Sequence, residues 1–298
     1  MMRITDEHLE QALREYNDKV SDLETGGTDE ELLEALVNRS TILMLMGSYT
    51  SAMTDLEDAI ELSEGMKDIN VGTYVKMYEN RGQLLCGEDN ETMVEDYGKI
   101  VSRLGEINGE VRHYDKKGLI VMCIECSADL IDYEYYENSV PFTQKAIQLI
   151  GDDNDEWSTN RIVQLYNLIG EADVGMELSD NAADAYSVCI KAGEKLYGIS
   201  RIDDPMELVT AYIHRGDLFE TSDKEKMWKD HERAAEILEE LNDINRLSDV
   251  TLLVNLHQAI ASSMMESREI ERAEKHLMKA INLGVPGMKE AINELKKE

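Results

Sequence analysis

A column of small residues recurs at a nearly constant interval and limits what this chain can fold into more than any other feature. When the 298-residue sequence is aligned on itself, one small residue falls at the same point of six segments, at intervals of 42, 45, 43, 46 and 45 residues. The column is Ser40, Gly82, Ser127, Gly170, Gly216 and Ala261. Randomly placed residues would not be spaced so evenly, and a fixed period of about 20 to 50 residues indicates a repeat architecture.

A second column lies 18 or 19 residues after the first, on a second amphipathic segment of each repeat. Its members are Ala59, Ile100, Ala146, Cys189, Ala234 and Ala280. Helix-breaking residues such as Gly47-Ser48 separate the two segments of a repeat. Each repeat therefore reads as an antiparallel αα-hairpin, in which small residues let the helix backbones approach closely.

The composition favours a helical fold, and the net charge limits the possible binding partners. Three prolines occur in the whole length, and Phe and Trp occur twice each, which argues against an all-β fold. The 62 acidic and 30 basic residues give a formal net charge of -32. Such a surface repels phosphate groups within a Debye length of about 8 Å, so we expect neither nucleic acid nor an anionic membrane as a partner.

The sequence also predicts where the protein works. Its apolar runs are far shorter than the roughly 20 residues that span a bilayer. The first residues contain no apolar segment of the kind found in a signal peptide. Four cysteines in so long a chain do not make a disulfide framework. We therefore expect a cytoplasmic protein with reduced cysteines.

The first repeat resembles a tetratricopeptide repeat. The residues that carry the resemblance are Leu36, Asn38, Arg39, Ser40 and Leu43, then Met46 to Tyr49, Ala52, Asp55, Leu56, Ala59, Ile60 and Leu62. The stretches Tyr166 to Ala172 and Ile270 to Leu283 are similar to the same family. The period of 42 to 46 residues departs from the family value of about 34, which implies longer helices or loops and leaves the superhelix pitch open.

This resemblance predicts an all-α fold, a right-handed superhelical solenoid of αα-hairpins with a capping helix at each end. The N-terminal cap is predicted at residues 1–27, the hairpins at residues 28–283, and the C-terminal cap at residues 286–298. A capping box opens the first hairpin at Thr28, with Glu31 three residues later. The six predicted hairpins cover residues 28–66, 70–106, 110–151, 156–198, 204–243 and 247–283.

An Arg and an Asp occur together in three of the repeats. The Arg stands on the first helix and the Asp follows 15 or 16 residues later on the second; the other repeats lack both. The pairs are Arg39 with Asp55, Arg81 with Asp96, and Arg215 with Asp230. We predict a partly buried ion pair across each of these hairpins. The alternative is that these arginines bind an anionic ligand.

The resemblance implies that the first helices line a concave groove. The side chains predicted to project there are mostly polar, and several are acidic: Asn38, Thr41, Asn80, Gln83, Glu125, Asn167, Glu171, His214, Asp217, Gln258 and Ser262. Amide side chains can pair with the backbone of an extended peptide, and acidic ones favour a Lys- or Arg-bearing partner. One subclass of the family clamps a terminal carboxylate, but the basic residues of that clamp are missing here.

No motif for catalysis, a cofactor or a metal stands out. Cys123-x-x-Cys126 lacks the second ligand pair of a zinc site, so we interpret both cysteines as core residues. The sequence contains neither a phosphate-binding glycine loop nor a nucleophile elbow. We therefore predict a non-enzymatic interaction scaffold for an extended, basic protein segment. The alternatives are a ligand- or peptide-sensing regulator and an enzyme, which would need titratable groups that converge in one pocket.

Overall fold

The computed structural model describes residues 6–107 and 109–283, and α-helices make up most of this part of the chain. The helices are α1 (Asp6–Gly26), α2 (Asp29–Leu45), α3 (Tyr49–Glu64), α4 (Val71–Leu85), α5 (Asn90–Arg103), α6 (Lys116–Asp132), α7 (Tyr136–Ile150), α8 (Glu156–Gly175), α9 (Ser179–Tyr197), α10 (Pro205–Leu218), α11 (Lys224–Asp243), α12 (Thr251–Glu266) and α13 (Ile270–Asn282). Within the described ranges there is no β-strand, only one isolated bridge between Val111 and Tyr114. The predicted all-α class is confirmed.

The helices group into two compact units, Met1–Asp152 and Asp153–Glu298. In the first unit, α2 packs on α3, α4 on α5, and α6 on α7, each pair forming an antiparallel hairpin. First helices also contact first helices, α2 with α4 and α4 with α6, and α5 contacts α7. Helix α1 packs against α2 and so covers the first hairpin.

The second unit repeats this plan with the pairs α8 and α9, α10 and α11, and α12 and α13. Successive hairpins meet where α9 packs on α10 and α11 on α12, while α8 also contacts α10. The sequence did not predict a division into two units, because the repeat period continues through residue 152. The predicted cap at residues 286–298 lies outside the described residues.

The small-residue column lies where the two helices of a hairpin meet. All six of its members are buried. A Cβ atom added to Gly82 would lie 2.2 Å from a ring carbon of Tyr97, and one added to Gly170 would lie 2.5 Å from the ring of Tyr186. At Gly216 the ring of His231 is equally close, at 2.5 Å. Glycine therefore occurs where the opposite helix presents a ring.

The predicted capping box is present at the start of α2. The backbone N–H of Glu31 donates to Thr28 Oγ1, and the backbone N–H of Thr28 donates to Glu31 Oε2. The helix before it ends at Gly26, where the sequence places a Gly-Gly pair. These two signals fix the point at which the chain turns from α1 into the first hairpin.

Candidate functional site

Each of the three Arg–Asp combinations forms a two-point ion pair between the helices of its hairpin. Arg81 donates from Nε and Nη2 to the two carboxylate oxygens of Asp96, at 2.6 Å each. Arg39 meets Asp55 at 2.8 and 2.7 Å, and Arg215 meets Asp230 at the same two distances. These hydrogen bonds raise the pKa of each arginine. The guanidinium face that could bind an anion is therefore occupied by the protein itself.

Two of these arginines also reach a neighbouring element. Arg39 Nη1 donates to Asn17 Oδ1 on α1 at 3.2 Å, and Arg215 Nη1 donates to Ser187 Oγ on α9 at 3.0 Å. The pairs thus connect the two helices of a hairpin and, through the remaining nitrogen, the helix packed beside it. This is a structural role, and it fits the pattern in which Arg and Asp occur together or not at all.

Two of the predicted groove amides are buried between first helices and already have partners. Asn80 on α4 donates to Thr41 Oγ1 at 2.8 Å and to Ser40 Oγ at 3.2 Å, both on α2. Asn167 on α8 donates to Glu207 on α10 at 2.6 Å. These side chains join successive hairpins, and their burial keeps them from pairing with the backbone of a bound peptide.

The other predicted groove residues are at least partly exposed, but the two units hold separate sets. In the first unit, Asn38, Thr41 and Gln83 are half-buried and Glu125 is exposed. Asn38 donates to the carbonyl oxygen of Glu34 on its own helix at 2.8 Å. The second unit holds the remaining ones, of which Glu171, His214 and Gln258 are half-buried, and Asp217 and Ser262 are exposed.

A cluster of carboxyl groups lies on the first helices of the first unit. Glu125 on α6 is exposed, but partial loss of water contact raises the pKa of its carboxyl group, and the nearby Glu79 raises it further, while Lys76 opposes the shift. Burial also raises the pKa of Asp129, one turn further along α6, although its carboxylate accepts a 2.6 Å hydrogen bond from the Tyr97 hydroxyl. In this cluster, burial and neighbouring negative charge both disfavour the ionised form.

Sequence reasoning missed Glu79 and Asp129, which belong to this cluster. Glu79 is buried, accepts a hydrogen bond from the Tyr114 hydroxyl and forms a 2.9 Å ion pair with Lys76. The signal for Asp129 was available, because a residue four positions after Glu125 lies on the same helix face. The burial of Glu79 depends on the segment that leads into α6, and no local pattern predicts it.

Acidic residues flank a histidine in the second unit. His214 Nδ1 lies 4.0 Å from Glu171 Oε1 and 3.2 Å from the hydroxyl of Tyr186. Burial lowers the pKa of His214, and Asp217 opposes that shift. Asp217 Oδ1 lies 3.0 Å from Nε2 of His231. Carboxylates from α8 and α10 therefore border one partly exposed histidine.

The cysteines of the CxxC motif lie in the core of the first unit. Cys123 and Cys126 are both buried and free. Burial raises the pKa of Cys123 to about 12 and also raises that of Cys126, so both remain thiols at neutral pH. Among the described residues, no three His, Cys, Asp or Glu side chains are arranged to hold a metal ion.

A cleft of about 630 Å³ opens in the second unit between α9, α10 and α11. Its walls include the rings of Tyr212 and Phe219 and the guanidinium groups of Arg215 and Arg233. Both cations already have partners, because Arg215 binds Asp230 and Arg233 lies 2.8 Å from Glu194.

In the part of the chain that can be described, no helix has the length and apolar character needed to cross a membrane.

The comparisons with known proteins agree with this hairpin architecture. The family model for the tetratricopeptide repeat matches residues 33–65, which lie in the first hairpin. The C-terminal part of a tetratricopeptide-repeat protein from Cytophaga hutchinsonii superposes with a TM-score of 0.58 at 13% identity, over 96% of this chain and 98% of that chain. Residues 33–65 therefore match a tetratricopeptide repeat, and the superposition shows that the chain has the same fold as this repeat protein. No curated protein matches its sequence.

Two further solved structures are similar in fold. One is a signal transduction ATPase with a tetratricopeptide-repeat sensor from Pyrococcus horikoshii, with a TM-score of 0.58 at 15% identity over 97% of this chain. The match spans 41% of the length of that ATPase. The other is aspartyl phosphate phosphatase F from Bacillus subtilis, with a TM-score of 0.53 at 12% identity over 95% of this chain and 76% of that one.

Proposed function

We propose that this tetratricopeptide-repeat protein is a non-enzymatic scaffold whose first helices hold an extended protein segment rich in Lys or Arg. The tetratricopeptide repeat is a fold of protein–protein interaction scaffolds, and this supports the general role. The preference for a basic segment is our own inference from the acidic side chains of the first helices. We propose a cytoplasmic location, no cofactor, and neither nucleic acid nor membrane as a partner.

The single observation that carries the proposal is the carboxyl cluster of Glu125 and Asp129. The pKa of both groups is raised by burial and by neighbouring acids. A Lys or Arg side chain placed beside them would stabilise the ionised forms, because an opposite charge within about 4–6 Å favours ionisation. The net charge of -32 adds a long-range attraction that accelerates the encounter with a basic segment.

The acidic residues of the second unit support the same preference. Glu171 and Asp217 both lie close to His214, and burial lowers the pKa of this histidine. A lowered pKa reduces the positive charge that His214 can place beside these carboxylates. The half-buried amide of Gln258 and the exposed hydroxyl of Ser262, both on α12, could provide polar contacts to a bound backbone.

The proposal is tested with a peptide array that presents Lys-rich, Gln-rich and Glu-rich versions of the same extended sequences to the full chain. We expect selective binding of the Lys-rich set, reduced several-fold by E125Q combined with D129N. The control for net charge is E95Q combined with D184N, which removes two exposed acids from the second helices α5 and α9. An equal loss in the control, or a preference for the Glu-rich set, would refute a specific acidic site.

A second candidate function is ligand sensing, in which a bound peptide or small molecule changes the arrangement of the hairpins. It is favoured by the likeness to the Pyrococcus horikoshii ATPase, whose repeats are described as a sensor. Small-angle X-ray scattering with and without a selected basic peptide separates the two functions. A ligand-dependent change in the radius of gyration supports sensing, and an unchanged radius supports plain scaffolding.

A further inference from the structure

The last hairpin of the second unit contains a line of four titratable side chains that the proposed function does not use. Nε2 of His257 on α12 lies 3.0 Å from Oε1 of Glu239 on α11. Nδ1 of His257 lies 3.1 Å from Nδ1 of His276 on α13. Nε2 of His276 in turn lies 3.5 Å from Oε1 of Glu232, again on α11. The line therefore begins and ends on α11 and passes through both helices of the last hairpin.

Both histidines are shielded from water, and each end of the line carries a further cation. The side chain of His257 is fully buried, and that of His276 is 10% exposed. Lys279 on α13 lies 2.9 Å from Glu239. Arg272, also on α13, lies 3.4 Å from Glu232 and 3.0 Å from Glu225. These groups are the charged side chains that face the two histidines from α11 and α13.

The number of ring protons follows from the two hydrogen bonds of the line, from Nε2 of His257 to Glu239 and between the two Nδ1 atoms. An ionised carboxylate supplies no proton, and a neutral imidazole carries one N–H and one acceptor nitrogen. Two neutral imidazoles therefore supply both hydrogens, with one of the facing Nδ1 atoms as donor and the other as acceptor. A first additional proton has a place on Nε2 of His276, which lies 3.5 Å from Glu232.

A second additional proton would break the line in the middle. With four ring protons, both Nδ1 atoms become N–H donors that face each other across 3.1 Å with no acceptor between them. Burial, the largest cause, lowers the pKa of His257; Glu239 opposes the shift, and His276 and Lys279 add to it. A lowered pKa is expected for a buried histidine, because burial disfavours the positively charged ring.

We propose that Glu239, His257, His276 and Glu232 form a proton-dependent lock that holds the last hairpin to α11 as long as one of the two facing Nδ1 atoms carries no proton. Acidification that puts a proton on both Nδ1 atoms separates the two rings and releases α13 from α12 and α11. This inference concerns conformational regulation and does not depend on which segment the first helices bind.

The test uses the full chain labelled with ¹⁵N. Histidine ring spectra are recorded between about pH 8 and pH 5, together with hydrogen exchange of the backbone amides of α13. We expect only one of the two facing Nδ1 atoms to carry a proton at neutral pH. At lower pH a fourth proton should bind while α13 loses protection with the same midpoint, by up to about tenfold per pH unit for one proton. Protons on both Nδ1 atoms at neutral pH, or constant protection of α13, would overturn the proposal.

Two variants separate the lock from general acid sensitivity. H257Q removes one ring from the line and should abolish the acid transition of α13. H214Q removes another half-buried histidine of the same unit, outside the line, and should leave that transition in place. The same transition in H257Q would contradict the lock. If H257Q fails to fold, the wild-type spectra still decide, because the proton count requires no variant.

Discussion

At the scale of single residues, the stability of the hairpins depends on a few buried polar pairs. Asp96 is fully buried, and both of its carboxylate oxygens are bound by Arg81. Removing one member of a buried pair costs more than removing both, since it leaves an unpaired charge without water. This explains physically why the repeats that lack the Arg also lack the Asp.

We predict that R81A lowers the free energy of unfolding by about 3–5 kcal/mol, because Asp96 would lose its only two-point partner inside the hairpin. The measurement is the urea unfolding midpoint followed by circular dichroism. Replacing both residues, as R81M with D96L, should recover most of the loss since no buried charge remains. An unchanged midpoint for R81A would show that this pair contributes nothing.

We predict that replacing glycine by alanine has opposite effects on stability at two helical positions, because the space around the two glycines differs. G170A should destabilise the protein by about 1–3 kcal/mol, because the new Cβ would overlap the buried ring of Tyr186. G98A, at an exposed position of α5 with open space around it, should stabilise by about 0.5–1 kcal/mol through helix propensity. Thermal unfolding of both variants checks the prediction. Stability changes in the same direction for G170A and G98A would contradict the packing account.

At the scale of elements, the turns inside the hairpins differ in how well their sequence fits their backbone. Gly47 and Gly87 occupy left-handed positions in the first two turns, with φ of 73° and 81°. The corresponding positions in three other turns are held by Glu134, Glu177 and Arg268, with φ between 62° and 67°. A left-handed conformation is unfavourable for residues with a Cβ, so these turns are strained.

We therefore predict that E177G stabilises the chain by about 0.5–1 kcal/mol, even though glycine adds entropy to the unfolded state. The reverse change, G47A, provides the control and should destabilise by about 1 kcal/mol. Differential scanning calorimetry of the two variants measures both effects. A lower melting temperature for E177G would mean that the carboxylate of Glu177 stabilises the turn by contacts that outweigh the strain.

The elements themselves were largely predictable from the sequence, because breakers and small residues mark each helix and each crossing. Thr28 with Glu31 marked the start of α2, and Gly26-Gly27 marked the end of α1. The burial of the side-chain amides was not predictable. Asn80 and Asn167 project from first helices, as expected, but neighbouring first helices lie close enough to bury them. Burial of this kind depends on the packing of neighbouring hairpins rather than on local sequence.

At the scale of the whole molecule, the charge of the chain links binding to pH. The pKa values of Glu125 and Asp129 are raised, so part of their negative charge is lost when the pH falls toward their titration range. A bound cation favours the ionised form, so binding releases protons from these groups. We predict that affinity for a Lys-rich peptide rises with pH through this range and then levels off.

Isothermal titration calorimetry in two buffers of different ionisation enthalpy measures the released protons directly. The E125Q and D129N double variant should show a smaller release and a flatter pH profile, while E95Q should resemble the wild type. Affinity should also fall as salt rises, because surface charges are screened within about 8 Å at physiological ionic strength. Proton uptake on binding would contradict the role assigned to these carboxyl groups.

The central claim is that the first helices, rather than the second helices, carry the binding surface. It is tested most directly by photo-cross-linking a selected Lys-rich peptide to the full chain and locating the linked residues by mass spectrometry. The account predicts cross-links on α6 near Glu125 and Asp129, and on α8 and α10 near Glu171 and Asp217. Cross-links confined to second helices such as α3, α5 or α9, or undiminished by excess unlabelled peptide, would contradict it.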